Sequence, residues 1–295
     1  MLFPMTTKVK KSLFILALIS VSCSDFGDSP LRGPDPGSPI TSDIQAACSP
    51  DGKWIVYRHE DYSLHDTSYP TGLYIIDSSG NNHRQLIRGE AGTPRWSPDA
   101  KWIAFSAGRI YLVKPNGDSL TAVTTFSGFF PTWSPAGDRI ACGRSGPQDT
   151  VGIWIVDLAS RIATRFGYGG DPDWSPDGTM FVFGAAVDPY RTGVVTVRVA
   201  DPFDRRILIQ SGDDHRNPRW RGDGTQIAWW ISTEEARLEV WLMNADGSAK
   251  RRLTDGFYVG WKPPYDEVLC SRQSGNRVLL WVIRIDGSNR RQLTH

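Results

Sequence analysis

Trp174-Ser175-Pro176-Asp177-Gly178-Thr179-Met180-Phe181-Val182-Phe183 reads as a large aromatic residue, a tight turn and an apolar strand. The chain repeats that phrase. The turn returns as Ser49-Pro50-Asp51-Gly52, Ser97-Pro98-Asp99-Ala100, Ser134-Pro135-Ala136-Gly137 and Arg221-Gly222-Asp223-Gly224, with Lys262-Pro263-Pro264-Tyr265 as a worn further copy. An internal period of roughly 40 residues is expected of a β-propeller with four-stranded antiparallel blades. Six copies predict an all-β, six-bladed β-propeller over residues 40–295.

Each column of the repeat has a physical reason. Cys48, Trp96, Trp133, Trp174, Trp220 and Trp261 end a first strand with a side chain that can wedge against a neighbouring blade. In the turn, Pro supplies a fixed φ, Asp bonds to nearby backbone and Gly permits positive φ. The second strands, such as Trp102-Ile103-Ala104-Phe105 and Gln226-Ile227-Ala228-Trp229, are apolar without strict alternation, as burial on both faces requires. A third strand follows, then a short basic fourth at Arg84–Ile87, Arg251–Thr254 and Arg291–Thr294. Its arginines suit a solvated outer edge that resists edge-to-edge pairing.

The N-terminus is a separate object. Lys8, Lys10 and Lys11 precede an apolar run from Leu13 to Val21, too short for the ~20 residues of a membrane span, and Ser22-Cys23 forms a cleavage site. Residues 1–22 are expected to be an export signal and 23–39, rich in Pro, Gly, Asp and Ser, a flexible tether. The ending Ile19-Ser20-Val21-Ser22-Cys23-Ser24 resembles a bacterial lipoprotein signal, which implies lipidation of Cys23; ordinary cleavage leaving a free thiol is the alternative. Loss of the signal leaves a net charge near −2, three lysines fewer than the full chain's +1, and the 33 basic and 32 acidic residues of the whole argue against a nucleic-acid partner. Cys48, Cys142 and Cys270 have no metal or redox spacing and fall in apolar columns, so they read as packed free thiols.

Strand order places the Ser-Pro-Asp-Gly turns and the third-to-fourth-strand turns on one face, and the second-to-third loops and blade connections on the other. The latter varies in length, at His59–Thr71, Ser145–Gly152, Ala185–Thr192 and Ser232–Arg237, and insertions confined to one face of an array mark a binding face. Residues entering the channel there give the ligand-binding candidates Phe129, Phe130, Asp171, Asp173, His215, Arg216, Arg219, Phe257 and Tyr258. His59, Asp61, His65 and Asp66 could gather a metal, but an exposed polar loop is the preferred reading; no cofactor is expected.

Pro94 to Phe105 and Val240 to Thr254 resemble the WD-like repeat of the TolB propeller family. TolB carries an α/β domain before its propeller, for which Cys23 to Ile40 leaves no room, so the resemblance implies the propeller module. No G-x-S-x-G, H-E-x-x-H or P-loop occurs, and no catalytic residue is assigned. The expectation is a monomeric, lipid-anchored, non-catalytic scaffold for a protein or peptide of the cell envelope, facing the periplasm or the exterior. A glycan lyase or hydrolase and a carbohydrate-binding module are the alternatives.

Overall fold

Antiparallel meanders of four strands make up the described part of the computed structural model, residues 41–62, 69–147 and 150–295. The export signal, Cys23, the tether, His65 and Asp66 lie outside the described residues. The first meander is β1 (Thr41–Cys48), β2 (Trp54–Asp61), β3 (Gly72–Asp77) and β4 (Arg84–Arg88); the second is β5 (Gly92–Trp96), β6 (Ile103–Ala107), β7 (Arg109–Val113) and β8 (Thr121–Ala122). The next two are β9 (Gly128–Trp133), β10 (Arg139–Arg144), β11 (Gly152–Asp157) and β12 (Ala163–Gly167), then β13 (Gly170–Trp174), β14 (Met180–Asp188), β15 (Arg191–Arg198) and β16 (Asp201–Ser211). The last are β17 (Asp214–Trp220), β18 (Gln226–Ser232), β19 (Leu238–Asn244) and β20 (Arg251–Asp255), then β21 (Phe257–Lys262), β22 (Glu267–Ser274), β23 (Arg277–Arg284) and β24 (Arg291–Gln292).

Four meanders are separate four-stranded sheets, while the first and last join in one eight-stranded sheet. The cause is local. Thr41 and Ser42 pair in parallel with Arg277 and Val278, extending the edge that β24 leaves uncovered. Apolar faces meet there as at the other junctions: Ile55 and Tyr57 with Leu269 and Leu280 at the closure, Val56 and Ile75 with Ile103 and Phe105 between the first two meanders. Burying one such side chain is worth about 1.5–3 kcal/mol, so these faces, more than any hydrogen bond, hold the ring together.

Hydrogen bonds set its register. The indole N–H of Trp96 donates to Ala47 O at 3.1 Å, that of Trp133 to Arg95 O at 3.2 Å and that of Trp261 to Arg219 O at 3.0 Å, each a carbonyl of the preceding inner strand. Trp174 bonds its own turn at Gly178 O instead, and there the side chain of Asp173 takes over, accepting from Trp220 N at 2.8 Å and from Thr132 Oγ1 at 3.3 Å. Around the rim, edge-strand arginines reach carbonyls of the next meander: Arg84 to Pro115, Arg206 to Asp246, Arg251 to Ile285 and, across the closure, Arg291 to Ser78. They are inter-sheet ties as well as solvated edges. β16, with eleven residues, is the long edge that the short basic fourth strands do not anticipate.

The turn is self-wired. Ser49 Oγ donates to Asp51 Oδ1 at 2.6 Å and accepts from Trp54 N at 2.9 Å, and Ser97 and Ser175 repeat the pattern. Where Ala136 replaces Asp, Asp138 supplies the carboxylate, 2.7 Å from Ser134 Oγ. The Gly position is left-handed, with φ of 72–75° at Gly52, Gly137, Gly178 and Gly224, and it stays so at Ala100 (58°) and Tyr265 (77°), where a Cβ is strained. Ala100→Gly is therefore expected to stabilise the fold by about 1 kcal/mol, the left-handed penalty of a Cβ exceeding the entropy cost of glycine. A chemical denaturation midpoint that falls in this variant would contradict the assignment.

Candidate functional site

The inner strands β1, β5, β9, β13, β17 and β21 line the channel, and each carries one bulge at the same place. Three residues before each pre-turn residue stands a non-glycine with positive φ: Gln45 (58°), Thr93 (50°), Phe130 (51°), Asp171 (50°), Asn217 (53°) and Tyr258 (51°). Pro follows in four of the six copies. An extra bulge residue bends the strand and re-aims its side chains. These six are all buried and partly bonded to one another: Gln45 Oε1 accepts from Thr93 N at 2.7 Å, Gln45 and Tyr258 share a hydrogen bond, and Asn217 Nδ2 donates to Asp171 Oδ2 at 2.9 Å. They form a collar around the channel, and the two ends beyond it differ.

On the loop side, Arg58 donates to Glu60 at 2.7 Å and Glu90 at 2.6 Å, and Arg216 pairs with Asp214 at 2.5 Å beside Trp230. The tyrosines exposed among the described residues are Tyr62, Tyr69, Tyr168 and Tyr190, the last 80% exposed. All four lie in second-to-third-strand loops or sheet connections, hence on one face. The exposed apolar residues of the other face and outer edge are Trp54, Leu120, Ile162, Phe203 and Ile207.

On the turn side, two residues past the collar, the layer reads Ala47, Arg95, Thr132, Asp173, Arg219 and Gly260. Its small residues leave room for its charged ones. A cavity of about 330 Å³ opens there, with Arg95, Asp173 and Arg219 among its walls and Pro50, Pro98 and Pro263 from the turns around it. Arg219 is paired, with Nη2 meeting Asp171 Oδ1 at 2.5 Å and Nη1 donating to Pro218 O at 3.0 Å. Among the described residues Arg95 donates only to the neighbouring Pro94 O, at 2.9 Å, and no carboxylate lies within ion-pair distance of it. Burial, with the nearby Arg219 cation, pushes its guanidinium down to about 9 despite Asp171 and Asp173, and burial raises Asp173 above the usual carboxylate range.

The structure separates the sequence candidates. Phe130, Asp171 and Tyr258 belong to the collar, and Phe129 packs on Gly143, where a Cβ would sit 2.2 Å from Cε2. Phe257 is fully buried against Trp230. His215 lies inside its sheet, its Nδ1 accepting from Trp229 Nε1 at 3.1 Å and its Nε2 2.9 Å from Ser211 Oγ, and burial lowers its pKa. Arg216 is exposed on the loop face, whereas Asp173 and Arg219 come together at the turn end. Arg95, absent from the candidates, completes that group; the shared spacing to Asp173 and Arg219, one residue before each indole, is the signal for it. The turn end is therefore not the purely uniform face expected. His59 Nδ1 lies 2.7 Å from Asp43 Oδ1, and among the described residues no group of three His, Cys, Asp or Glu could hold a metal. Cys48, Cys142 and Cys270 are free thiols, and burial pushes each up to about 12.

Comparison with known proteins adds a family signature. The model of the TolB beta propeller domain matches residues 55–295. The Tol-Pal system protein TolB of Gluconobacter oxydans is 31% identical over 204 residues, 64% of this chain and 44% of that protein. The crystal structure of TolB from Acinetobacter baumannii superposes with a TM-score of 0.70 at 21% identity, covering 81% of this chain and 62% of that one. Oligogalacturonate lyase in complex with manganese shares the fold with a TM-score of 0.59 at 13% identity over 88% and 79% of the two chains. The chain spans about half the length of the curated relatives it matches.

Two outcomes follow from the buried groups. Arg219→Leu leaves the buried Asp171 carboxylate without its cation and should cost about 3–5 kcal/mol in chemical denaturation; a loss below about 1 kcal/mol would mean the pair is solvated. His215 has a folded-state pKa below its unfolded value, so the stability it lends as a neutral ring is present above roughly pH 6.5 and is lost as pH falls through the lowered value. His215→Asn, which keeps an acceptor for Trp229, should therefore show a shallower loss of stability than the wild type between roughly pH 7.5 and 5. Parallel curves would remove His215 from the acid response.

Proposed function

Because the chain belongs to the TolB β-propeller family, we propose that it is an exported, lipid-anchored, non-catalytic propeller that binds a protein partner at the cell envelope through its loop face. The observation that carries this reading is that the exposed tyrosines among the described residues, Tyr62, Tyr69, Tyr168 and Tyr190, all lie on that face. Tyrosine is enriched in protein interfaces because its rigid ring offers apolar area and a hydroxyl at small entropic cost. Arg216 and Asp214, half-exposed between these loops, supply charges for a polar rim. On this reading the eight-stranded sheet counts as two blades bridged by Thr41 and Ser42, giving a six-bladed ring that acts as a monomer. Cys23 carries the lipid and residues 23–39 tether the propeller to the membrane on its periplasmic or outer side.

Two measurements test the proposal. Cys23→Ser should release the protein from the membrane fraction of the native host; retained anchoring defeats the lipid claim. Full-length tagged protein should capture a defined envelope protein from detergent extracts, and replacing Tyr69, Tyr168 and Tyr190 together by Ser should weaken capture at least about tenfold while leaving the melting midpoint unchanged. Capture of polysaccharide alone, or turnover of oligogalacturonate with added manganese, would replace the protein-binding reading by the glycan one.

A further inference from the structure

We infer that the turn-side cavity is a second binding site, one that takes the C-terminal residue of a peptide by its α-carboxylate. It lies at the opposite end of the channel from the partner surface proposed above and does not depend on it. Three features converge. Arg95 presents a planar fork of five N–H donors, of which the structure shows one used, on its own neighbour's carbonyl. Among the described residues no carboxylate reaches it within ion-pair distance, whereas Arg58, Arg216 and Arg219 each have an acidic partner at 2.7 Å or less. A largely buried guanidinium without a counter-ion suits an incoming carboxylate, which it binds through two parallel charge-assisted hydrogen bonds.

Asp173, in the same cavity, narrows the ligand class. Its carboxylate accepts from Trp220 N and Thr132 Oγ1, which leaves acceptor capacity on both oxygens. A donor fork beside a free acceptor matches the last residue of a chain, whose carboxylate is adjacent to a backbone N–H; a simple organic acid offers nothing to Asp173. The remaining walls fit a side chain: Trp96, Val259 and Trp261 are apolar, and about 330 Å³ accommodates one to two residues. Pro50 and Pro98, both exposed, lie where the cavity meets the turn face, so a longer chain can run out to solvent.

The probe is a pool of N-acetyl dipeptides ending in each of the twenty amino acids, offered to the isotopically labelled full-length protein as free acids and as carboxamides. The readout is the Nε–H resonance of Arg95, assigned by its loss in Arg95→Gln. The free acids should shift it and the carboxamides should not. In Arg95→Gln, binding read from neighbouring backbone amides should weaken at least about tenfold. Arg95→Lys, which keeps the charge and loses the fork, should weaken binding as well and serves as the second variant should Gln perturb the fold. An unmoved Arg95 resonance, an equal response to acids and carboxamides, or undiminished binding to both variants would overturn the assignment. Tighter binding by a pool of free amino acids than by the acetylated dipeptides would overturn the peptide terminus in favour of a zwitterion.

Discussion

One left-handed backbone residue in every inner strand governs the centre of this molecule. Non-glycine residues avoid positive φ, and each such residue costs of order 1–3 kcal/mol unless the surroundings over-determine it. Here the surroundings do so six times, at Gln45, Thr93, Phe130, Asp171, Asn217 and Tyr258. The bulge lets the strand enter from the loop face with one side-chain register and leave toward the turn with another. In the copies with Arg95, Asp173 and Arg219, that second register is what brings charged side chains to the turn-end cavity.

The same geometry divides the labour of holding the ring together. Apolar faces between sheets supply the bulk of the stability, and the indole N–H bonds to inner-strand carbonyls supply alignment at a net worth of about 1 kcal/mol each. At the closure Cys48 stands where the others have Trp, and no indole tie is possible. Two replacements appear there: the parallel pairing of Thr41 and Ser42 with β23, and Ser271 Oγ donating to Asp43 O at 2.9 Å. The closure thus adds chain pairing and a serine hydroxyl where three other junctions use an indole.

The four-stranded meanders, the wired turns and the packed thiols were legible from the sequence because each rests on local chemistry repeated at a fixed spacing. Ser, Asp and Gly at set offsets define a turn wherever they occur, and Asp138 shows the chemistry surviving a shift of the carboxylate by two residues. The collar was harder to see. Gln, Thr, Phe, Asp, Asn and Tyr have no common chemistry, and only their shared distance from the pre-turn residue, with Pro after four of them, betrays a common backbone. Tyr258 and Phe130 therefore looked like rim aromatics although they are buried, and Arg95 looked like a spacer between Pro and Trp. His215 misled for the complementary reason: a polar residue near a loop was satisfied inside the sheet by Trp229 and Ser211, whose bonds to it no repeat column shows.

The two ends of the channel consequently differ in chemistry as well as in loop length. One offers exposed tyrosines on variable loops and the other a recessed cation among turn prolines, with the collar between them. That division depends on the backbone at six positions, and the most direct test is to measure it. One-bond Cα–Hα couplings and residual dipolar couplings in the labelled propeller report the sign of φ at each collar residue. The account predicts left-handed values at Gln45, Thr93, Phe130, Asp171, Asn217 and Tyr258 alike; extended values at even Thr93 or Asp171, whose strands carry Arg95 and Asp173 into the cavity, would contradict it.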